Sequence, residues 1–377
     1  MPTITVNDDG AVLYYEDSGA PNAAQDYHTI FIVHGFIFHG GSFRPLFTHA
    51  SSQRLRLILV NQREYPGSSP LNDNEMSNLW SQEPKNQAIA IGSHATELAT
   101  FIARFIEENN IPPPDFIDGK VVGGISLLAW SQGNGPLMSL LANIPPSTDH
   151  TSILLGRYIR TVFMYDPPSM VLGIPSSPKL VMPVHDPKLS EEEKPEKFID
   201  WVSGYWEALR TPDIITTEAL LKRSDVYDST GNHKYLNTAK KLQKSEVDSL
   251  VAPNAYSRVG ATLSLAHEVY AKSLRLALFD TNGHWDHLRV VAIWPDMSVW
   301  PCLLAFKGLT EMLQDRKNDG AVKRELEIVQ LPETNHMYHY EEPDKTAWKR
   351  RCLCMCDHRT CKCCNSICRV IFPRLIR

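Results

Sequence analysis

A doubly wound, mostly parallel α/β sheet with an inserted helical cap is the fold class that this 377-residue chain predicts. Three observations predict it. Largely apolar runs of strand length recur at residues 29–33 (TIFIV), 55–60, 121–130 and 160–165, as expected of strands buried on both faces. Helix-compatible stretches alternate with them, which implies parallel strands joined by crossover helices. The rhythm then breaks over residues 173–288, which hold several helical stretches and no strong strand run, and it returns at 289–294 and 325–330. The interruption reads as a cap folded over the carboxyl ends of the strands, where such sheets place their sites.

Each element follows from local chemistry. Residues 4–6 and 12–16 form an opening hairpin, because Asn7-Asp8-Asp9-Gly10 offers a glycine that accepts positive φ. From Ile91, apolar residues recur at Ala95, Leu98, Ile102, Phe105 and Ile106, one face of a helix that Pro112-Pro113-Pro114 stops. Residues 121–130 read as one strand, with a helix over 136–142 behind it. Within the cap, Ser190-Glu-Glu-Glu-Lys-Pro195 is a charged linker. Phe198, Trp201, Val202, Tyr205, Trp206 and Leu209 keep helical spacing and make an aromatic face that packs the cap or lines a substrate pocket. A helix over 300–313 separates the last two strands.

The chemistry centres on residues 123–141. There Ala129-Trp130-Ser131-Gln132-Gly133 joins a strand to a helix and places Ser131 on a tight turn, with small residues two before and two after it. Ser131 reads as a nucleophile. The helix that follows turns unpaired amides, that of Gln132 among them, toward whatever Ser131 attacks. His34-Gly35-Phe36 ends a buried strand and leaves the Phe36 amide above the sheet, where a second oxyanion donor belongs. His336 lies in the loop after the last strand and reads as the base. Its orienting acid is Asp166, at the end of the strand after the elbow helix, or Asp296, after the penultimate strand. Asp166 is favoured because Pro167-Pro168 fixes its direction; Asp296 alone could be a turn residue. His34 and His339 read as structural. His284, Trp285, Asp286 and His287 read as a solvated turn and not a metal site, and neither metal nor cofactor is expected.

Taken together, the strand-end His34-Gly35-Phe36, the Arg63-to-Ser68 loop, the Ser131 elbow and Asn335-His336 ahead of Glu342-Pro343 resemble the α/β-hydrolase superfamily. Among its members the chain looks most like uncharacterised fungal serine hydrolases, some linked to secondary metabolism. The resemblance implies a core over 1–172 and 289–347, a cap over 173–288, and a Ser131-Asp166-His336 triad cleaving a small to medium apolar ester, thioester or lactone through an acyl-enzyme. A lyase, cyclase or acyltransferase on the same fold, or a non-catalytic ligand-binding protein, are the alternatives. Three positions depart from the family pattern. Ala129 replaces the first elbow glycine, Glu64 stands where many members have Gly, and Ser298 stands where members commonly carry the acid.

Bulk properties narrow the partners. The net charge of −5 hides a basic tail, 348–377, of +7 against −12 for the remainder, so nucleic acid is not an expected partner. No apolar run approaches the roughly 20 residues needed to cross a bilayer, and residues 1–19 read as strands and not as a signal peptide. Seven of the eight cysteines crowd the tail and only Cys302 stands in the body, which favours a reducing, cytoplasmic location. The tail spacings could bind Cu(I) or Zn(II) but match no zinc finger, and the tail reads first as a disordered or mispredicted C-terminus. Composition leaves the oligomeric state open.

Overall fold

The opening hairpin is built as its turn chemistry requires. Strands β1 (Thr3–Thr5) and β2 (Val12–Asp17) pair antiparallel across a turn in which Gly10 has φ +80°. The computed structural model describes residues 1–21, 26–117, 120–143, 149–281, 285, 287–318 and 324–346. The main sheet continues with β3 (His28–Val33) and β4 (Leu55–Val60). Next come a separate hairpin of β5 (Asp115–Ile117) and β6 (Lys120–Val122), and then β7 (Ile125–Trp130) and β8 (Ile159–Tyr165). The last strands are β9 (Arg289–Pro295) and β10 (Glu325–Leu331). Eight strands share one sheet in the order β1-β2-β4-β3-β7-β8-β9-β10, and every pairing from β4 to β10 is parallel. The doubly wound fold with an inserted cap is therefore present.

Burial explains the composition of the strands. Every residue of β3, β4, β7, β8 and β9 is buried, so the near-continuous apolar runs face helices or loops on both sides. The helix Pro84–Asn109 carries the predicted stripe and packs, with Asn134–Ala142 and His267–Leu278, as one group of neighbouring helices.

Two expectations are revised. The single strand over 121–130 is broken at Gly123 and Gly124, with φ +63° and +72°. A Cβ at Gly123 would lie 2.3 Å from the Pro113 carbonyl oxygen, so the chain turns there and restarts as β7. The aromatic face 198–209 is not one helix. The helix Glu193–Val202 ends before Gly204, and Trp206 lies in an extended segment bridged to Asp225. The residues that keep helical spacing thus come from two segments, and the helix begins inside the expected linker. A further helix, His150–Tyr158, is N-capped by Asp149, whose carboxylate accepts from the Ser152 amide at 3.0 Å.

The cap is stitched to the two loops that matter most. The Ala252 amide donates to the Ile37 carbonyl at 2.8 Å, and His39 N to Leu250 O at 3.0 Å, so cap backbone pairs with the loop after β3. On the other side, Asn335 Nδ2 donates to Ser203 O at 2.9 Å and to Thr238 Oγ1 at 2.8 Å, while Tyr205 Oη donates to Glu341 at 2.6 Å. Among the described residues, no helix is long and apolar enough to cross a membrane.

Two buried histidines make the fold sensitive to acid. His28 bonds Gly123 O at 2.9 Å and Ser126 Oγ at 2.8 Å, and His34 bonds Gly35 O at 2.7 Å. Burial pulls them down from 6.5, to about 4 for His28 and about 3 for His34. Both are neutral in the folded state, whereas the unfolded chain takes up their protons near 6.5. Stability is therefore complete above that pH and is lost as pH falls through it. By pH 5 each histidine costs roughly 2 kcal/mol. We expect Tm to fall between pH 6.5 and 5, above the range of ordinary carboxylates; a flat Tm profile there would contradict this assignment.

Candidate active site

The carboxyl ends of β3, β7, β8, β9 and β10 bring the candidate residues to one edge of the sheet. Ser131 follows β7 directly and has φ +54°, a left-handed conformation unusual for serine and held by its surroundings. Asn134 supplies part of the hold: its buried side-chain amide donates to Ala129 O at 3.0 Å and Ser131 O at 2.9 Å. Close packing supplies the rest. A Cβ at Gly133 would lie 2.5 Å from His34 O and 2.9 Å from Val33 O, and one at Gly35 would lie 2.8 Å from Ser131 Cβ. These glycines let the elbow sit against the end of β3.

That packing predicts a contrast between two glycines. Gly133→Ala must push the elbow off β3, because the obstructing atoms are backbone, and should lower both Tm and any esterase rate. In Gly92→Ala the new methyl meets nothing within 4 Å on a helix, so that change should stabilise by about 0.5–1 kcal/mol. Thermal melts and rates of the two variants check this directly.

Asp166 follows β8 with φ +45° and is fully buried. His336 Nδ1 lies 2.5 Å from Asp166 Oδ2, and the His336 side chain is 2% exposed. The Trp130 indole N–H donates to His336 O at 3.1 Å, and its ring lies 4.8 Å from the imidazole. The residue before Ser131 thereby fixes the histidine loop. Ser131, Asp166 and His336 are thus gathered at one sheet edge, while among the described residues Ser131 makes no hydrogen bond to His336. Catalytic hydrogen bonds often tighten only with substrate bound.

Asp296 is placed elsewhere. Its carboxylate takes Arg210 Nε of the cap at 2.8 Å and the Glu333 amide at 2.6 Å, and does not bond His336. Ser298, two residues on, does reach the pair: its hydroxyl donates to Asp166 Oδ2 at 2.5 Å and lies 3.4 Å from His336 Nδ1. Cys302 Sγ is 3.3 Å from Asp166 O and 3.8 Å from His336 Nδ1, and burial pushes its thiol well above the ordinary range. Asp166, Cys302 and His336 hold possible metal donors within 4.8 Å of one another. The Asp–His hydrogen bond already uses two of those donor atoms, and a neutral thiol is a poor metal ligand.

The amides of Phe36 and Gln132 make no hydrogen bond to another group among the described residues. Around them the loop is rigidly supported. Tyr65 Oη accepts from Ile37 N at 3.1 Å, and Gln62 N donates to His34 Nε2 at 3.0 Å. His34 therefore braces the loop, as expected. His339 stacks on Phe43 at 3.9 Å and is kept neutral by burial. Beside Phe36, a groove of about 430 Å³ between cap and core is lined by apolar residues such as Leu79, Val184 and Leu263 and by polar ones such as Gln87, His185 and Glu191. His284, Asp286 and the cysteine-rich tail lie outside the described residues.

The architecture is that of the α/β-hydrolase fold. A bromoperoxidase from Bacillus anthracis superposes with a TM-score of 0.52 at 12% sequence identity, over 91% of this chain and 95% of that one. An esterase from Exiguobacterium antarcticum gives 0.45 at 13%, over 92% and 96%. An N-acyl homoserine lactone degrading enzyme gives 0.47 at 13%, over 91% and 96%. At these identities the likeness is one of fold. No family model matches the chain, and no curated protein matches it.

Sequence reasoning missed Trp130, Asn134, Tyr65 and the role of Ser298. Trp130 and Asn134 stood inside the elbow, but only the third dimension shows what an indole N–H or a buried amide reaches.

Proposed function

We propose that the chain is a serine hydrolase that cleaves a small to medium apolar ester, thioester or lactone through an acyl-enzyme on Ser131. The observation that carries this is the buried His336 Nδ1–Asp166 Oδ2 contact of 2.5 Å at the sheet edge where Ser131 is held at φ +54°. Asp166 orients the imidazole and stabilises the imidazolium, and Nε2 takes the Ser131 proton as the oxygen attacks the substrate carbonyl. The amides of Phe36 and Gln132 receive the oxyanion, at about 3 kcal/mol per donor. The imidazolium then protonates the leaving group, and a water activated by the same ring releases the acid. Leu79, Val184 and Leu263 in the groove beside Phe36 support a hydrocarbon acyl or alkyl group, while Gln87 and Glu191 in the same lining support a polar substituent on it. Residues 173–288 act as the cap that excludes water. The cytoplasmic location and the fungal affinity rest on the sequence alone.

Pre-steady-state hydrolysis of p-nitrophenyl butyrate tests the reading. A burst of p-nitrophenol stoichiometric with enzyme supports the acyl-enzyme. Turnover with no burst, together with no covalent adduct in the intact mass, counts against it.

A further inference from the structure

Ser298 is fully buried just beyond β9, the parallel neighbour of the strand that ends at Asp166. Its hydroxyl donates at 2.5 Å to Asp166 Oδ2, the same oxygen that His336 Nδ1 approaches at 2.5 Å. The other carboxylate oxygen, Oδ1, is buried and has no partner among the described residues. Buried carboxylates ordinarily gather several donors, since an unsatisfied charged oxygen is costly. Among the described residues, Ser298 and the imidazole both bond Oδ2, and the Cys302 thiol packs beside them. We propose that Ser298 is a positioning residue: it holds the Asp166 carboxylate toward His336 and shares its negative charge, so setting how strongly the acid retains the imidazolium. This rests on the serine-hydrolase reading.

The other polar groups around the pair do not titrate where the test reads. Burial holds the Cys302 thiol and the Tyr165 hydroxyl well above their ordinary values, and holds His339 well below its own. Arg223 of the cap, brought down to about 9 by burial, remains a cation at neutral pH. Asp296 is engaged by Arg210 and the Glu333 amide.

The rate of labelling by a fluorophosphonate, followed from pH 5 to 8 in wild type, Ser298→Ala and Ser298→Thr, tests the proposal. Without the hydroxyl, the undivided carboxylate charge holds the imidazolium more tightly. The acid limb of Ser298→Ala should then move to higher pH, with labelling slowed more at pH 6 than at pH 8. Ser298→Thr keeps the hydroxyl and should follow wild type. A Ser298→Ala limb that coincides with wild type, or a rate lowered equally at every pH, overturns the proposal. If Ser298→Ala does not fold, Ser298→Cys, which retains volume but donates weakly, is read by the same criteria. The low-field proton resonance of His336 Nδ1–H reports on the pair without catalysis, and must move when Ser298 loses its hydroxyl. An unmoved resonance overturns this proposal, whereas absent labelling of wild type with a moved resonance overturns only the hydrolase reading.

Discussion

Ser131→Ala will lower p-nitrophenyl butyrate hydrolysis by about 10⁴-fold or more while leaving the fold intact. The expectation follows from where the strain lies. Ser131 holds φ +54° because Asn134, Gly35 and Gly133 fix the turn around it, and none of these contacts uses the hydroxyl. Alanine at the same φ is no more strained than serine, so Tm should move by less than about 3 °C. Residual activity comparable with wild type would mean that water, and not Ser131, attacks the substrate.

Asp166→Asn should cost about 10³–10⁴-fold in rate, because an amide in that position favours the wrong imidazole tautomer and cannot stabilise the imidazolium. Asp296→Asn makes the comparison informative. Asp296 binds Arg210 Nε at 2.8 Å and the Glu333 amide at 2.6 Å, linking cap to core. Its loss weakens a charge-assisted latch, so Tm should drop by a few degrees with the rate changed by less than about threefold. Rates and melts of the two variants separate an acid that orients the base from an acid that anchors the cap. The reverse pattern would exchange their roles.

Much of the fold was legible because parallel strands buried on both faces must be apolar throughout, and β3, β4, β8 and β9 satisfy that within a residue or two. The break at Gly123-Gly124 was harder, since a glycine pair inside an apolar run is compatible with a strand until the Pro113 carbonyl is seen to crowd it. Glu64 stands where many members of the family have glycine. It has φ +72° and is held there by bonds to Leu71 N at 2.6 Å and to Arg258 of the cap at 2.9 Å. The strand ends carried the candidate site in the order Ser131, Asp166, Asp296, His336. Which carboxylate reaches the imidazole depends on the direction of the chain beyond β8 and β9, and periodicity does not encode that. The aromatic spacing of 198–209 misled because a helix followed by an extended segment can mimic one long amphipathic face.

The most direct measurement is fluorophosphonate labelling of wild type, Ser131→Ala, Asp166→Asn and Asp296→Asn, with the modified peptide located by mass spectrometry. The serine-hydrolase reading predicts a single adduct on Ser131 in wild type, none in Ser131→Ala, a rate reduced by orders of magnitude in Asp166→Asn, and a near-normal rate in Asp296→Asn. A folded wild type that takes no label, or an adduct on any residue other than Ser131, would contradict it.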